Sequence, residues 1–427
     1  MGRRRRVALL WLALGTYLAI EWRRYVAWCR LRTQLSTRFT AVDRDVAQDA
    51  WSRFFRARCA LLCHKHRATF VKWVRDACWR RELRTLDPAT VRTALDAYDR
   101  RQHPGGGESS SAFAHAMVDA LALERAATPT AWIRINGTTN HAPATPLFPP
   151  LGVAVAATAA RWATDATLRR VFGFVDVRCD ATGMVYWRRA PVAAWHATLC
   201  VFHGLGLGFV PYVPFLRQLC AALPATTALV LVEMPGLSGH ATRALPREAG
   251  QSPSPATHEV CASFEAYLGD DARPLDLLGH SYGGMIASAL VNNARLRPRI
   301  RRRVFVESPV FLAGTTHFWP YVFQPLTYAD VLRRPRFALI FGGMWTQHVI
   351  RHTTWFQDYV SHEDDLGANT LVVLSSDDNL VPVAVVDEYL RSEHPDVKRV
   401  VRVGRHGDAI FRHATRTIAT IVEFLDT

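Results

Sequence analysis

From about Val171 to the end of the chain, short apolar runs alternate with helix-like stretches, and this alternation limits the fold more than any other feature. "ATLCVFHG" reads as a strand and "PYVPFLRQLCAAL" as a helix. "TALVLVEMPG" is a strand, and "SPATHEVCASFEAYLGD" a helix. "PLDLLGHS" leads into the helix "YGGMIASALVNNARL", and "IRRRVFVESPV" is a further strand. After a long insertion come the strand "NTLVVLSSDD", the helix "VPVAVVDEYLRSEH", the strand "VKRVVRVGRHG" and a last helix, "DAIFRHATRTIATIVEFLDT". Before them, "VFGFVDVRCD" and "MVYWRR" form two strands around a turn. Short apolar strands separated by helices demand a mainly parallel sheet covered on both faces. In such sheets reactive groups gather at the carboxyl ends of the strands.

One of those ends stands out. In Gly279-His280-Ser281-Tyr282-Gly283 a serine follows a strand and opens a helix. So tight a corner strains the backbone and leaves no room for neighbouring side chains. Glycines at 279, 283 and 284 relieve that crowding. The hydroxyl is pushed out over the sheet edge, where the helix amino terminus favours negative charge. A serine needs a base to take its proton. His406, in "VGRHGD" after the last strand, is placed to do so. His280 precedes the serine and is expected to point away, His240 lies in an early loop, His362 in the insertion and His413 in the final helix. The imidazole needs an acid to hold its tautomer. Asp377 and Asp378 end the penultimate strand in "LSSDDNLVP", and Glu307 follows the strand before it. Backbone amides suit the oxyanion, because fixed dipoles need no reorganisation as charge develops. Tyr282, after the serine, supplies one; Leu205, in "HGLGLG", is the best candidate for the other. The glycines of that loop lack the frame of a dinucleotide or phosphate loop.

These segments resemble the α/β-hydrolase superfamily of serine hydrolases, over about Val171 to Thr427. The likeness rests on the "HG" loop, "MPGLSGH" (Met234 to His240), "GHSYGG", "DDNLVP" and "RHGD", in that order. It implies an α/β-hydrolase fold: a mainly parallel central sheet with helices on both faces, a cap insertion, and here a helical N-terminal extension. It also implies a triad of Ser281, Asp378 and His406. Asp378, four residues before Pro382, has the spacing expected from related sequences, with Asp377 and Glu307 as alternatives. "MPGLSGH" departs from the commoner Asp-x-Pro-Gly-x-Gly form, with Glu233 in the acidic place. The insertion, about 311–368, stands where such proteins carry a cap. It is rich in large apolar groups, among them Phe318, Trp319, Phe341, Trp345 and Trp355. These either wall an acyl pocket or form the cap's own core.

The amino-terminal part has another texture. Four arginines precede an uncharged run from Val7 to Ile20, followed by Trp22, Arg23, Arg24, Tyr25 and Trp28. Fourteen residues are short for a bilayer span, which needs about 20. The aromatic and basic flank favours a retained signal anchor or interfacial helix over 1–30, against a cleaved signal or a buried helix. Residues 31–170 form a helical region of unassigned role, broken by "HPGGGESSS". The net charge of +15 is almost all arginine, with only Lys65, Lys72 and Lys398 as lysines. That ratio reflects nucleotide bias as much as a polyanionic partner, and no nucleic-acid motif appears. The eight cysteines do not make a disulfide framework. Cys59, Cys63, His64 and His66 match no common zinc spacing, so neither metal nor cofactor is expected.

The chain therefore reads as a membrane-associated serine hydrolase of carboxylic esters, lipid-like ones first. A thioesterase, amidase or acyltransferase would use the same machinery. The contrasting reading is a catalytically silent hydrolase fold serving as a membrane-tethered interaction module.

Overall fold

Strands whose residues are apolar on both sides must be covered on both sides, and three of them show this outright. β3 (Ala197–Phe202), β5 (Leu275–His280) and β7 (Thr370–Ser375) are buried at every residue. The other strands are β1 (Val175–Arg178), β2 (Val185–Arg189), β4 (Thr227–Glu233), β6 (Ile300–Val306) and β8 (Lys398–Arg402). The computed structural model describes residues 16–27, 29, 147–149, 151–179, 182–238, 257–269, 271–311, 327–334, 340–343, 346, 347, 349 and 366–426. Among them the strands form one sheet in the order β1-β2-β4-β3-β5-β6-β7-β8. β1–β2 and β2–β4 pair antiparallel, and every later pair is parallel. β3 and β5 thus sit mid-sheet, and the chain crosses over β3 between β4 and β5.

Alternation along each strand sends side chains to two separate cores. On one face Cys200, Phe202, Val230, Val232, Leu277, Phe305, Val372 and Leu374 pack with residues of the helices Thr257–Leu268, Tyr282–Asn292 and Val383–Glu393. On the other, Leu199, Val201, Leu229, Leu231, Leu278, Val304, Val306, Leu371 and Val373 meet the helices Val213–Ala222 and Ala414–Asp426. The last helix of the sequence reading is two. Asp408–Phe411 is a single turn, and the amide of His413 reaches back to the carbonyl of Asp408 at 2.8 Å. The short helix is tied by its backbone to Glu307. The long one instead follows the sheet, with Ile418, Ile421, Phe424 and Leu425 inward. One direction cannot serve both.

The helix Leu151–Arg170 lies upstream of the hydrolase-like texture, yet it packs on the sheet domain. Leu168 joins the second core. Arg161 is buried, pairs with Asp165 on its own helix at 2.9 Å, and bonds Glu233 at the end of β4. Glu233 also accepts the indole N–H of Trp187 at 2.9 Å. A second helical segment, 16–27, meets the start of this helix. Glu21 accepts the amide of Leu151, and Arg24 bonds the carbonyl of Pro149 at 3.1 Å while lying over the Phe148 ring. Most of the uncharged run from Val7, residues 31–146 with the Cys59–His66 cluster, and most of the cap lie outside the described residues. Among the described residues, no helix is long and apolar enough to cross a membrane.

Removing one partner of a buried ion pair leaves the other charge uncompensated, which costs about 3–5 kcal/mol. Arg161→Ala strands both Glu233 and Asp165. Urea unfolding is expected to show a loss of that size at unchanged m. A loss below about 1 kcal/mol would mean that the helix is only loosely held.

Candidate active site

The site begins at the β5 corner. Ser281 has φ 53° and ψ −124°, a conformation that side chains rarely adopt. Its amide donates to the carbonyl of Val306 at 2.9 Å, so β6 holds the strained residue in place. The three glycines around it are required by contact. A Cβ on Gly279 would stand 2.4 Å from the Cα of Gly284, one on Gly283 2.2 Å from the carbonyl oxygen of Phe202, and one on Gly284 1.9 Å from the Oγ of Ser308. The following helix, Tyr282–Asn292, is thereby pressed onto β3 and β6.

The loops after β5, β7 and β8 bring three side chains into line. The Ser281 hydroxyl lies 2.9 Å from Nε2 of His406. Nδ1 of His406 donates to Oδ2 of Asp378 at 2.8 Å. The other oxygen of Asp378 accepts the amides of Leu380 and Val381 at 2.7 and 3.0 Å, and its side chain has no solvent exposure. Asp377 is exposed and takes only the hydroxyl of its neighbour Ser376 among its side-chain bonds. Burial pulls the His406 pKa down, but the charge of Asp378, its hydrogen bond and the charge of Glu307 outweigh this, and the pKa is raised.

Glu307, the third candidate acid, is elsewhere. It follows β6 with φ 47°, is fully buried, and does not bond His406. Its Oε2 accepts Nε2–H of His280 at 3.1 Å and the amide of Gly407 at 2.7 Å. Its Oε1 accepts the Ser375 hydroxyl and the amide of Ala409 at 3.1 Å. Burial raises its pKa, yet the His280 hydrogen bond, the His406 and His280 rings and Ser375 hold it down at about 2. His280 is buried, and burial holds its pKa below the ordinary value against the pull of Glu307, which favours the neutral ring. Its Nδ1 accepts the Tyr212 hydroxyl at 2.6 Å, and that oxygen accepts the amide of Gly204 at 2.7 Å.

Gly204 opens the "HG" loop, and this loop runs against the serine. A Cβ on Gly204 would lie 3.2 Å from the Cβ of Ser281. Leu205, the residue with the candidate amide, is next and half-buried against the first core. Tyr282 starts the helix after the serine and is buried. His203 ties this loop to the "MPG" loop, since Nδ1 bonds the carbonyl of Gly204 at 2.7 Å and Nε2 receives the amide of Met234 at 3.3 Å. Gly208, at φ 61°, would place a Cβ 3.0 Å from Arg161 and 3.2 Å from Glu233. The buried ion pair therefore sits directly under the loop.

The serine, histidine and Asp378 chosen from the sequence are thus brought together, and Asp377 and Glu307 are not. The His280–Tyr212 link and the Arg161–Glu233 pair were not foreseen. His280 and Glu307 do end adjacent strands, which was a usable signal. Nothing in the sequence pointed to Arg161. Among the described residues no group of histidine, cysteine and acidic side chains could hold a metal.

The model of the alpha/beta hydrolase family matches residues 198–420, just over half of the chain. The chain belongs to this family. Solved structures share the shape more distantly. An esterase from Rhodococcus is 17% identical, covering 60% of this chain and 98% of its own, with a TM-score of 0.43. A carboxylesterase from Bacillus subtilis is 12% identical, covering 64% and 98%, at 0.42. A bromoperoxidase from Bacillus anthracis is 13% identical, covering 60% and 100%, at 0.40. Such distant likenesses carry no argument about the reaction. No curated protein matches the chain in sequence.

A histidine paired with a carboxylate keeps its proton to higher pH. The His406 ring, followed by NMR, is expected to titrate with a midpoint above the ordinary 6.5. A midpoint below 6.5 would show that burial outweighs Asp378.

Proposed function

We propose that this hydrolase cleaves carboxylic esters through an acyl-enzyme on Ser281. One observation carries the reading: His406 bonds the Ser281 hydroxyl on one nitrogen and the buried Asp378 carboxylate on the other. Asp378 fixes the tautomer with the proton on Nδ1, which leaves the Nε2 lone pair facing the hydroxyl. As the serine oxygen attacks the acyl carbon, its proton passes to Nε2, and Asp378 stabilises the resulting imidazolium. The amides of Leu205 and Tyr282 receive the oxyanion. Collapse of the tetrahedral intermediate passes the proton from Nε2 to the departing alkoxide. Water, deprotonated by the same nitrogen, then releases the acid.

Lipid-like esters are the substrates we favour. A Cβ on Gly206 in the oxyanion loop would lie 3.3 Å from the side chain of Ile340, so the cap sets an aliphatic group against the loop. Phe341 beside it is buried. We also place the enzyme at a membrane surface. The helical segment 16–27 leaves Leu18, Ile20, Trp22 and Tyr25 exposed beside Arg23, a composition that suits the interface of an anionic bilayer.

The full-length chain is expected to hydrolyse p-nitrophenyl esters with kcat/KM rising from acetate towards longer acyl chains. Ser281→Ala should abolish turnover, and Asp378→Asn should lower kcat by about 10⁴-fold by losing the tautomer. Folded protein inert to every ester and to a fluorophosphonate probe would instead favour a silent interaction module. A preference for acetate would remove the lipid part of the reading. Flotation with anionic liposomes is expected, and recovery in the bottom fraction would remove the membrane part alone.

A further inference from the structure

Beneath the proposed triad runs a second chain of hydrogen bonds that the ester chemistry leaves unused. It starts at the amide of Gly204, passes through the Tyr212 hydroxyl and both nitrogens of His280, and ends on Glu307. The order of donors is fixed by its end. A carboxylate only accepts, so Nε2 of His280 must carry the proton. The neutral ring then offers Nδ1 as an acceptor, and the Tyr212 hydrogen points there. The tyrosine oxygen is left to receive the amide of Gly204. Every group in the chain is buried. The same carboxylate accepts the amides of Gly407 and Ala409, on either side of the turn that follows His406. Its four donors come from β5, from the end of β7 and from the loop after β8.

We propose that Glu307 is a positioning residue that sets two loops of the site: it clamps the His406 loop through the Gly407 and Ala409 amides, and through His280 and Tyr212 it anchors the Gly204 end of the oxyanion loop. It touches neither substrate nor reacting atoms. The proposal rests on the ester-hydrolase reading. It explains why a non-glycine residue is held at φ 47° directly after β6, since only that turn delivers the carboxylate beneath all four donors at once. It also explains a buried tyrosine and histidine next to, but outside, the triad. A second consequence is electrostatic. The groups facing His406 are Asp378 after β7, Glu307 after β6, and the neutral His280 and Ser281 of the β5 corner, with uncharged Tyr212 and Phe411 around His280. Glu307 is thus the second negative charge that supports the imidazolium.

The test uses the full-length chain and p-nitrophenyl butyrate, with Ser281→Ala as the blank. Glu307→Gln removes the charge and turns one of the two accepting oxygens into an amide NH2, so at least one backbone amide, Gly407 or Ala409, loses its acceptor. A misplacement of about 1 Å costs about 100-fold, and loops that lose one anchor move less. Glu307→Gln is therefore expected to lower kcat about 10-fold with KM unchanged, and to move the acidic limb of kcat/KM to lower pH. Tyr212→Phe is expected to lower kcat comparably with the limb unmoved, since it removes the oxyanion-loop anchor and no charge. A purely structural role would move neither limb nor the split between kcat and KM. Wild-type kcat and limb in Glu307→Gln would overturn the proposal. Should that variant not fold, Tyr212→Phe decides, and wild-type kcat in it overturns the link to Gly204. Should the wild-type chain turn over no ester, the proposed reaction fails, but the relay is still read by amide exchange. Gly204 should exchange at least about 10-fold faster in Tyr212→Phe, as expected for an amide that loses its partner. Unchanged exchange would overturn the anchor.

Discussion

Everything at this site depends on how closely the backbone can crowd at the end of β5. The helix after Ser281 approaches β3 and β6 so nearly that no side-chain carbon fits at 279, 283 or 284. That approach leaves Ser281 the only direction it has, outward at positive φ, and the amide bond to Val306 holds it there. A looser corner would let the hydroxyl turn into the helix as an ordinary N-cap, out of line with His406. The strain is local, and the two large cores on either side of the sheet sustain it.

Two buried carboxylates flank His406, and their surroundings separate their work. Asp378 gives one oxygen to backbone amides and the other to the ring, so it orients the imidazole and raises its pKa directly. Glu307 has both oxygens filled by four other donors, none of them from that ring. It therefore acts on position and on field. The HG loop is held in the same manner from three sides: by Tyr212, by His203, and by the Arg161–Glu233 pair under Gly208. A buried ion pair is weak evidence for stability by itself. Here it has geometric use, because a helix from outside the family-matched span supports the loop nearest the serine.

Much of this was legible in the sequence, for a physical reason. A parallel sheet covered on both faces forces its strands to be uninterrupted apolar runs, and the chemistry must then stand at their ends. Ser281, Asp378 and His406 stand there, in segments whose glycines and prolines betray tight turns. The choice among Asp377, Asp378 and Glu307 was open, because a difference of one residue reverses which way a side chain points at a strand end. The role of Glu307 could not be read from spacing, since its four donors come from three separate segments. Arg161 was invisible because the helix Leu151–Arg170 is alanine-rich, without a clear apolar stripe, and its partner lies 72 residues on. The break before Ala414 was missed because both halves are helical by composition.

The central claim is that the oxygen of Ser281 becomes covalently bonded to the acyl group. Rapid acid quenching of the full-length chain during turnover of an activated ester, followed by peptide mapping by mass spectrometry, tests this directly. The acyl mass is expected on the peptide containing Ser281, at that residue, and is expected to be absent from Ser281→Ala. Turnover with no acyl mass at Ser281, or with the mass on another side chain, would contradict it.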